Sequence, residues 1–139
     1  MGIKQFQIWE FRLQNFYRES MDKNELKNRT KQFAINVARF CKSLPFDSIT
    51  KSYIDQLVRA SASVGANYRA ACRAKSKPDF IHKMRIVEEE ADESLYFLEL
   101  LAEFNEKKKD DIDVLYKEGN EILAITVASI NTALKSISK

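Results

Sequence analysis

The sequence predicts an all-α fold, an antiparallel up-down bundle of four helices, and three observations lead there. Only three Gly and two Pro occur in 139 residues. A β-sandwich or a doubly wound α/β fold needs more turns than that supply allows. The apolar residues recur at helical spacing in four long segments, and the connections between those segments are short and polar. The length suits one domain, and 45% hydrophobic with 31% charged residues can bury a core and stay in solution.

The first segment runs from about Asn24 to Leu44. Leu26, Thr30, Phe33, Val37, Phe40 and Leu44 are spaced 4, 3, 4, 3 and 4 apart, a heptad-like seam. Asn24 is a candidate N-cap, and Pro45 stops the helix. The second segment spans about Ser48 to Lys75, with Ser48 as its cap. Ile49, Tyr53, Leu57, Ala60, Val64 and Ala71 share one face. The run Ser76-Lys77-Pro78-Asp79 breaks the chain. Pro78 then suits the first turn of a third helix, and Asp79 suits its N-terminal dipole.

The third helix is expected from Pro78 to about Lys107. Its stripe is Phe80, Met84, Val87, Ala91, Leu95, Leu98 and Ala102, widened by Leu101 and Phe104. The fourth is expected from about Asp110 to Ile137, through Ile112, Leu115, Ile122, Ile125, Ser129, Ile130, Ala133 and Ile137. Gly119 lies inside it at a cost in helix propensity. Residues 1–22 stand apart as an aromatic-rich extension before a bundle of residues 23–139. Phe6, Trp9, Leu13 and Phe16 fit a helix, while Phe6-Ile8 and Phe11-Leu13 alternate like a strand. The extension either packs on its own or a neighbouring subunit, or docks a partner.

Charge divides the chain. Residues 1–77 hold 15 Lys and Arg against 6 Asp and Glu, a net of +9. Residues 78–139 hold 8 against 14, a net of −6, which together gives the +3 of the whole. On a wheel of about 100° per residue, with Arg59 at zero, Lys51 and Arg69 fall near −80° and Arg73 near −40°. The core positions lie roughly opposite. Lys75 and Lys77 carry the charge into the following loop. Such a stripe can neutralise phosphates. It can equally be a solvated face, or pair with acids such as Glu88, Glu89, Glu90, Asp92, Glu93, Glu99 and Glu103 on the third helix. Those acids would repel RNA, which confines any RNA surface to the first two helices.

The stretch from Ala60 to Ala66 has six small residues in seven, on all sides of the helix. One face serves the intrachain core, so Ser61, Ala62, Gly65 and Ala66 are expected to meet another subunit. Asn67, at the edge of the apolar stripe, is expected to bond across helices.

No catalytic centre emerges, and the chain is read as a non-enzyme without cofactor or metal. A di-iron bundle needs Glu-x-x-His on two helices. The single His, His82, follows Asp79 by three and no Glu. There is no Gly-x-Ser-x-Gly elbow, phosphate loop or dinucleotide fingerprint. Cys41 and Cys72 are too few for a disulfide framework and read as ordinary thiols of a reducing cytoplasm. No signal peptide and no apolar run of about 18 residues occurs.

From Gln56 to Ala102 the chain reads QLVRASASVGANYRAACRAKSKPDFIHKMRIVEEEADESLYFLELLA. Its SVGANYRAA and DFIHKMRIVEEEADESLYFLELL segments resemble the bacterial four-helix-bundle family encoded by intervening sequences inside large-subunit ribosomal RNA genes. The resemblance implies an antiparallel bundle that assembles into a homo-oligomeric ring, commonly a homopentamer. It also implies distant kinship to the accessory variability protein of diversity-generating retroelements, a basic ring that binds nucleic acid and a reverse transcriptase. The net charge of +3 is milder than that of those accessory proteins. The function expected is therefore a non-enzymatic accessory factor binding RNA or DNA through Lys51, Arg59, Arg69, Arg73, Lys75 and Lys77. The alternative is a scaffold that docks an RNA-handling enzyme such as a reverse transcriptase.

Overall fold

The computed structural model describes residues 22–138, and the reading of residues 1–22 as an extension lies outside them except for Asp22. Four α-helices and one 3₁₀ turn account for nearly all of these residues, and no strand occurs among them. Helix α1 spans Lys23–Lys42, α2 spans Ser48–Ala71, α3 spans Lys77–Phe104 and α4 spans Lys109–Ile137. The 3₁₀ turn Glu106–Lys108 joins the last two.

Side chains fix three of the starts. The α1 cap is Asp22 rather than the expected Asn24: its carboxylate accepts the Glu25 N–H at 2.8 Å. The α2 cap is Asp47 rather than Ser48, and it accepts the N–H groups of both Ile49 and Thr50. One residue decides each case, because the cap must keep extended backbone dihedrals while its oxygen reaches the second or third helical N–H. Ser76 caps α3, which starts at Lys77, one residue before the expected Pro78; Pro78 lies in the first turn and Asp79 near the dipole, as the sequence predicts. The helix stops at Asn105, short of Lys107. There the Asn105 amide Nδ2 donates to the Leu101 carbonyl, one of the acceptors left open at a helix end.

Consecutive helices pack on one another, α1 also touches α4, and the diagonal pairs do not meet. The pairing runs antiparallel. Tyr53 of α2 meets Phe97 and Phe104 of α3, while Arg59 further along α2 meets the earlier Glu90 and Glu93. The ring of contacts places the α1–α2 face opposite the α3–α4 face.

The core contains the predicted seams, including Phe33, Val37, Leu57, Val64, Met84, Leu98, Leu101 and Ile122. Tyr68 and Ile81 join it without having been expected there. The stripes overshoot at the bundle ends: Ile49, Phe104 and Ile137 are exposed, Phe104 keeping a ring contact with Tyr53. Gly119 does not break α4. A Cβ built there would stand 3.0 Å from Leu95 Cδ2 and 3.1 Å from Phe33 Cζ, so the bare backbone lets α1, α3 and α4 converge. Beside this point Arg29 of α1 grips Glu118 of α4, with Nε 3.0 Å from each carboxylate oxygen, and also bonds Glu121. This ion pair closes the seam between the first and last helices.

Candidate nucleic-acid interface

The cationic stripe expected along α2 divides in two. Arg59 leans towards α3, where its guanidinium bonds Glu93 at 2.5 Å and Glu90 at 3.3 Å. The Glu93 bond, with the field of both carboxylates, holds the Arg59 proton more tightly than usual. Lys51 pairs with Asp55 one turn on, at 2.7 Å. These two cations already have anionic neighbours, which is the solvated, self-paired alternative for that part of the stripe.

Helix α2 stops at Ala71 rather than near Lys75, so Arg73 lies in the turn beyond it; Arg69 and Arg73 both sit on the α1 side. They form one bank of an open groove of about 480 Å³, and Lys27 and Lys31 of α1 form the other. Ala34, Ala62, Gly65 and Ala66 lie between the banks, with Asn28 and Thr30. No Asp or Glu lines the groove among the described residues. Lys75 and Lys77 are exposed at the end of α2 and the start of α3. The Lys75 N–H donates to Asp79, whose carboxylate also bonds Lys83 at 2.6 Å. Lys83 first, then that backbone N–H, holds the Asp79 carboxyl below its ordinary range. Asp79 therefore serves the helix start, and His82 beside it is exposed.

The split follows from helix geometry. Arg59 and Arg69 are about 80° apart on the wheel, and that angle separates the α3 side of α2 from its α1 side. The far bank was readable as Lys27-x-x-x-Lys31, two cations one turn apart on the polar side of the α1 seam. Sequence reasoning passed over it, because the eye follows charge along one helix.

The small-residue belt divides likewise. Ser61 and Gly65 are buried within the chain. A Cβ on Gly65 would lie 3.2 Å from Thr30 Oγ1, so this glycine sets the close approach of α1 to α2. Ala62 and Ala66 remain exposed, in the groove. The amide of Asn67 does not cross to another helix. It bonds the Ser63 carbonyl one turn back at 2.8 Å. At the edge of the stripe, its own helix offers the nearest acceptor.

Opposite the groove, the α3–α4 face carries Glu88, Glu89 and Asp92 around Arg85. No cluster of three or more His, Cys, Asp or Glu is arranged to hold a metal among the described residues. No helix among them is long and apolar enough to cross a membrane.

Comparison with known proteins settles the kinship. The family described as 23S rRNA-intervening sequence protein matches residues 22–128. The chain belongs to this family. A crystal structure of a protein of unknown function from the S23 ribosomal protein family, from Bacteroides thetaiotaomicron VPI-5482, is similar with a TM-score of 0.71 and 30% identity. The match covers 80% of this chain and 99% of that one. A comparison with curated proteins gives no match. The matched span takes in α1, α2, α3 and most of α4, and the groove residues fall within it.

Proposed function

We propose that this protein is a non-enzymatic, oligomeric accessory factor of the bacterial cytoplasm that holds nucleic acid by its phosphates in the α1–α2 groove. One observation carries this reading: four cations, three on α1 and α2 and Arg73 just past the end of α2, face a common groove, with small side chains between them and no described acid. The opposing α3–α4 face is carboxylate-rich, so a polyanion meets attraction on one side and repulsion on the other. Ala62 and Ala66 leave room for a backbone to sit low between the cations. Contacts of this kind position a strand without reading its sequence. Arg69 at the end of α2 and Arg73 just beyond it are the main contacts on that bank, and Lys75 and Lys77 extend the track. Lys51 and Arg59, tied to carboxylates, contribute least.

The test is fluorescence anisotropy with labelled RNA across a salt series. Binding is expected to weaken steeply with salt, and Arg69→Glu with Arg73→Glu is expected to abolish it. Arg59→Ala is expected to change it little. Salt-independent binding, or an unchanged affinity in the double variant, overturns the proposal. Light scattering tests the assembly, for which a homopentamer is expected.

A second reading has its own support. Phe46 is 85% exposed and Phe104 59% exposed, and both lie at the bundle end where the α1–α2 loop and the end of α3 come together around Pro45. An apolar end of this kind suits docking of a protein, such as an RNA-handling enzyme. Co-purification that is lost on Phe46→Ser with Phe104→Ser would favour it.

A further inference from the structure

We infer that the α1–α2 groove takes double-stranded nucleic acid by its sugar–phosphate backbone, and not an unpaired strand by its bases. The inference rests on the phosphate-binding reading above and goes further in naming the form of the ligand. Two features of the groove carry it.

The first is the chemistry of its lining. Proteins that hold unpaired strands combine cations with aromatic platforms on which successive bases stack, worth about 1–3 kcal/mol per base. Among the described residues, no aromatic side chain lines this groove. The described rings nearest to it are committed elsewhere. Phe33 and Tyr68 are buried in the core, and Tyr53, Phe97 and Phe104 pack together on the α2–α3 side. Between the banks lie Ala34, Ala62, Gly65 and Ala66, which offer a base no flat face, and the Thr30 hydroxyl is spent on the Leu26 carbonyl, so Asn28 is the one uncharged polar side chain there that a base edge could meet. An unpaired strand would gain charge neutralisation here and little stacking.

The second is the arrangement of the cations. Lys27 and Lys31 are one turn apart on α1, about 6 Å along its axis, while Arg69 lies in the last turn of α2 and Arg73 in the turn that follows its end at Ala71. Two short parallel rows on facing banks match a ligand whose charges are themselves in rows on a stiff frame. A duplex presents such rows without further ordering, whereas a flexible strand must give up conformational freedom to do so. Arg is suited to bidentate phosphate contact, and Lys acts as a point charge beside it.

The experiment uses the full chain with two labelled probes, a 20-base-pair RNA duplex and a 20-nucleotide oligouridine strand, in a salt series. The duplex is expected to bind at least about tenfold more tightly at moderate salt. The four groove cations contribute about −3.6 to the slope of log affinity on log salt for a duplex, from −0.9 per neutralised phosphate, and Lys75 and Lys77 add to it. Lys27→Ala with Lys31→Ala, and separately Arg69→Ala with Arg73→Ala, are each expected to make the slope shallower by about 1.8. Circular dichroism confirms that these surface variants stay helical. Equal or tighter binding of oligouridine overturns the duplex inference and leaves the phosphate reading standing. Binding of neither probe overturns both. Duplex binding with an unchanged slope in both double variants shows that the ligand sits elsewhere and also overturns the inference.

Discussion

Gly119→Ala sets two effects of known size against each other, and the structure decides the sign. Replacing a glycine inside a helix with alanine is worth about 1 kcal/mol in propensity. At a solvent-facing site that gain would appear as added stability. At position 119 the new methyl would lie 3.0 Å from Leu95 Cδ2, 3.1 Å from Phe33 Cζ and 3.3 Å from Phe33 Cε1. Carbon pairs rest at about 3.5–4.0 Å, so both neighbours must retreat by about half an ångström. Leu95 can turn its terminal methyl. Phe33 is only 1% exposed, and its ring is held in the core. Overpacking of this kind costs about 1–3 kcal/mol, which exceeds the propensity gain and leaves a net loss of about 1 kcal/mol. Urea unfolding followed by circular dichroism reads this as a midpoint lower by roughly 0.5 M at an ordinary slope. A companion variant isolates the cause. In a Phe33→Leu background the ring atoms are gone, and Gly119→Ala should then be neutral or stabilising by up to about 1 kcal/mol. A higher midpoint for Gly119→Ala in the native background would refute the close-approach argument.

Other consequences can be checked with the same protein. Arg29→Ala leaves Glu118 and Glu121 side by side on half-buried positions, and a loss of about 1–2 kcal/mol in urea unfolding is expected. Asp47 and Asp79 hold their carboxyls below the ordinary value of 3.8, Asp47 chiefly through the Thr50 backbone N–H and Asp79 chiefly through Lys83. A lowered folded-state value means stability that is complete above about pH 4 and lost as pH falls through that lower value. Acid titration followed by circular dichroism should therefore show a shallower loss below pH 4 in Asp47→Asn than in the native chain. Burial pushes the Cys41 thiol up to about 11, so a thiol reagent at pH 8 should modify Cys41 only after denaturant is added.

The fold was legible because its signals repeat. The α1 seam recurs every three or four residues from Leu26 to Phe40, and each position along it is buried. A misjudged cap shifts such an element by one or two residues and changes nothing else, as Asp22 and Asp47 show. Ile49 and Ile137 were misread for a different reason. They keep the period of the stripe, but periodicity carries no information on where the facing helix ends. The Arg29 bridge to Glu118 was invisible, since the partners stand 89 residues apart and nothing local pairs them.

The candidate site shows a sharper limit. Position on one helix wheel gave the correct outward direction for all the α2 cations, but which neighbour each would meet depends on the order of helices around the bundle. Because α2 lies between α1 and α3, one flank of its outer face meets the basic first helix and the other meets the acidic third. Arg59 on the α3 flank is neutralised by Glu90 and Glu93, Lys51 is paired with Asp55 of its own helix, and Arg69 and Arg73 on the α1 flank are reinforced by Lys27 and Lys31. The +9 and −6 halves of the sequence thus become two faces of one molecule, because a chain that folds as consecutive hairpins keeps its first half on one side and its second half on the other. Charge segregated along such a chain becomes charge segregated in space, and a groove between the first two helices is where the positive half concentrates. If this reasoning holds, exchanging charge along α1 should matter as much for binding as exchanging it along α2. Lys27→Glu with Lys31→Glu should then weaken RNA binding as strongly as the Arg69 and Arg73 reversals, while reversal of Lys51 should not. An α1 variant that binds as the native chain does would show that the two helices do not share the ligand.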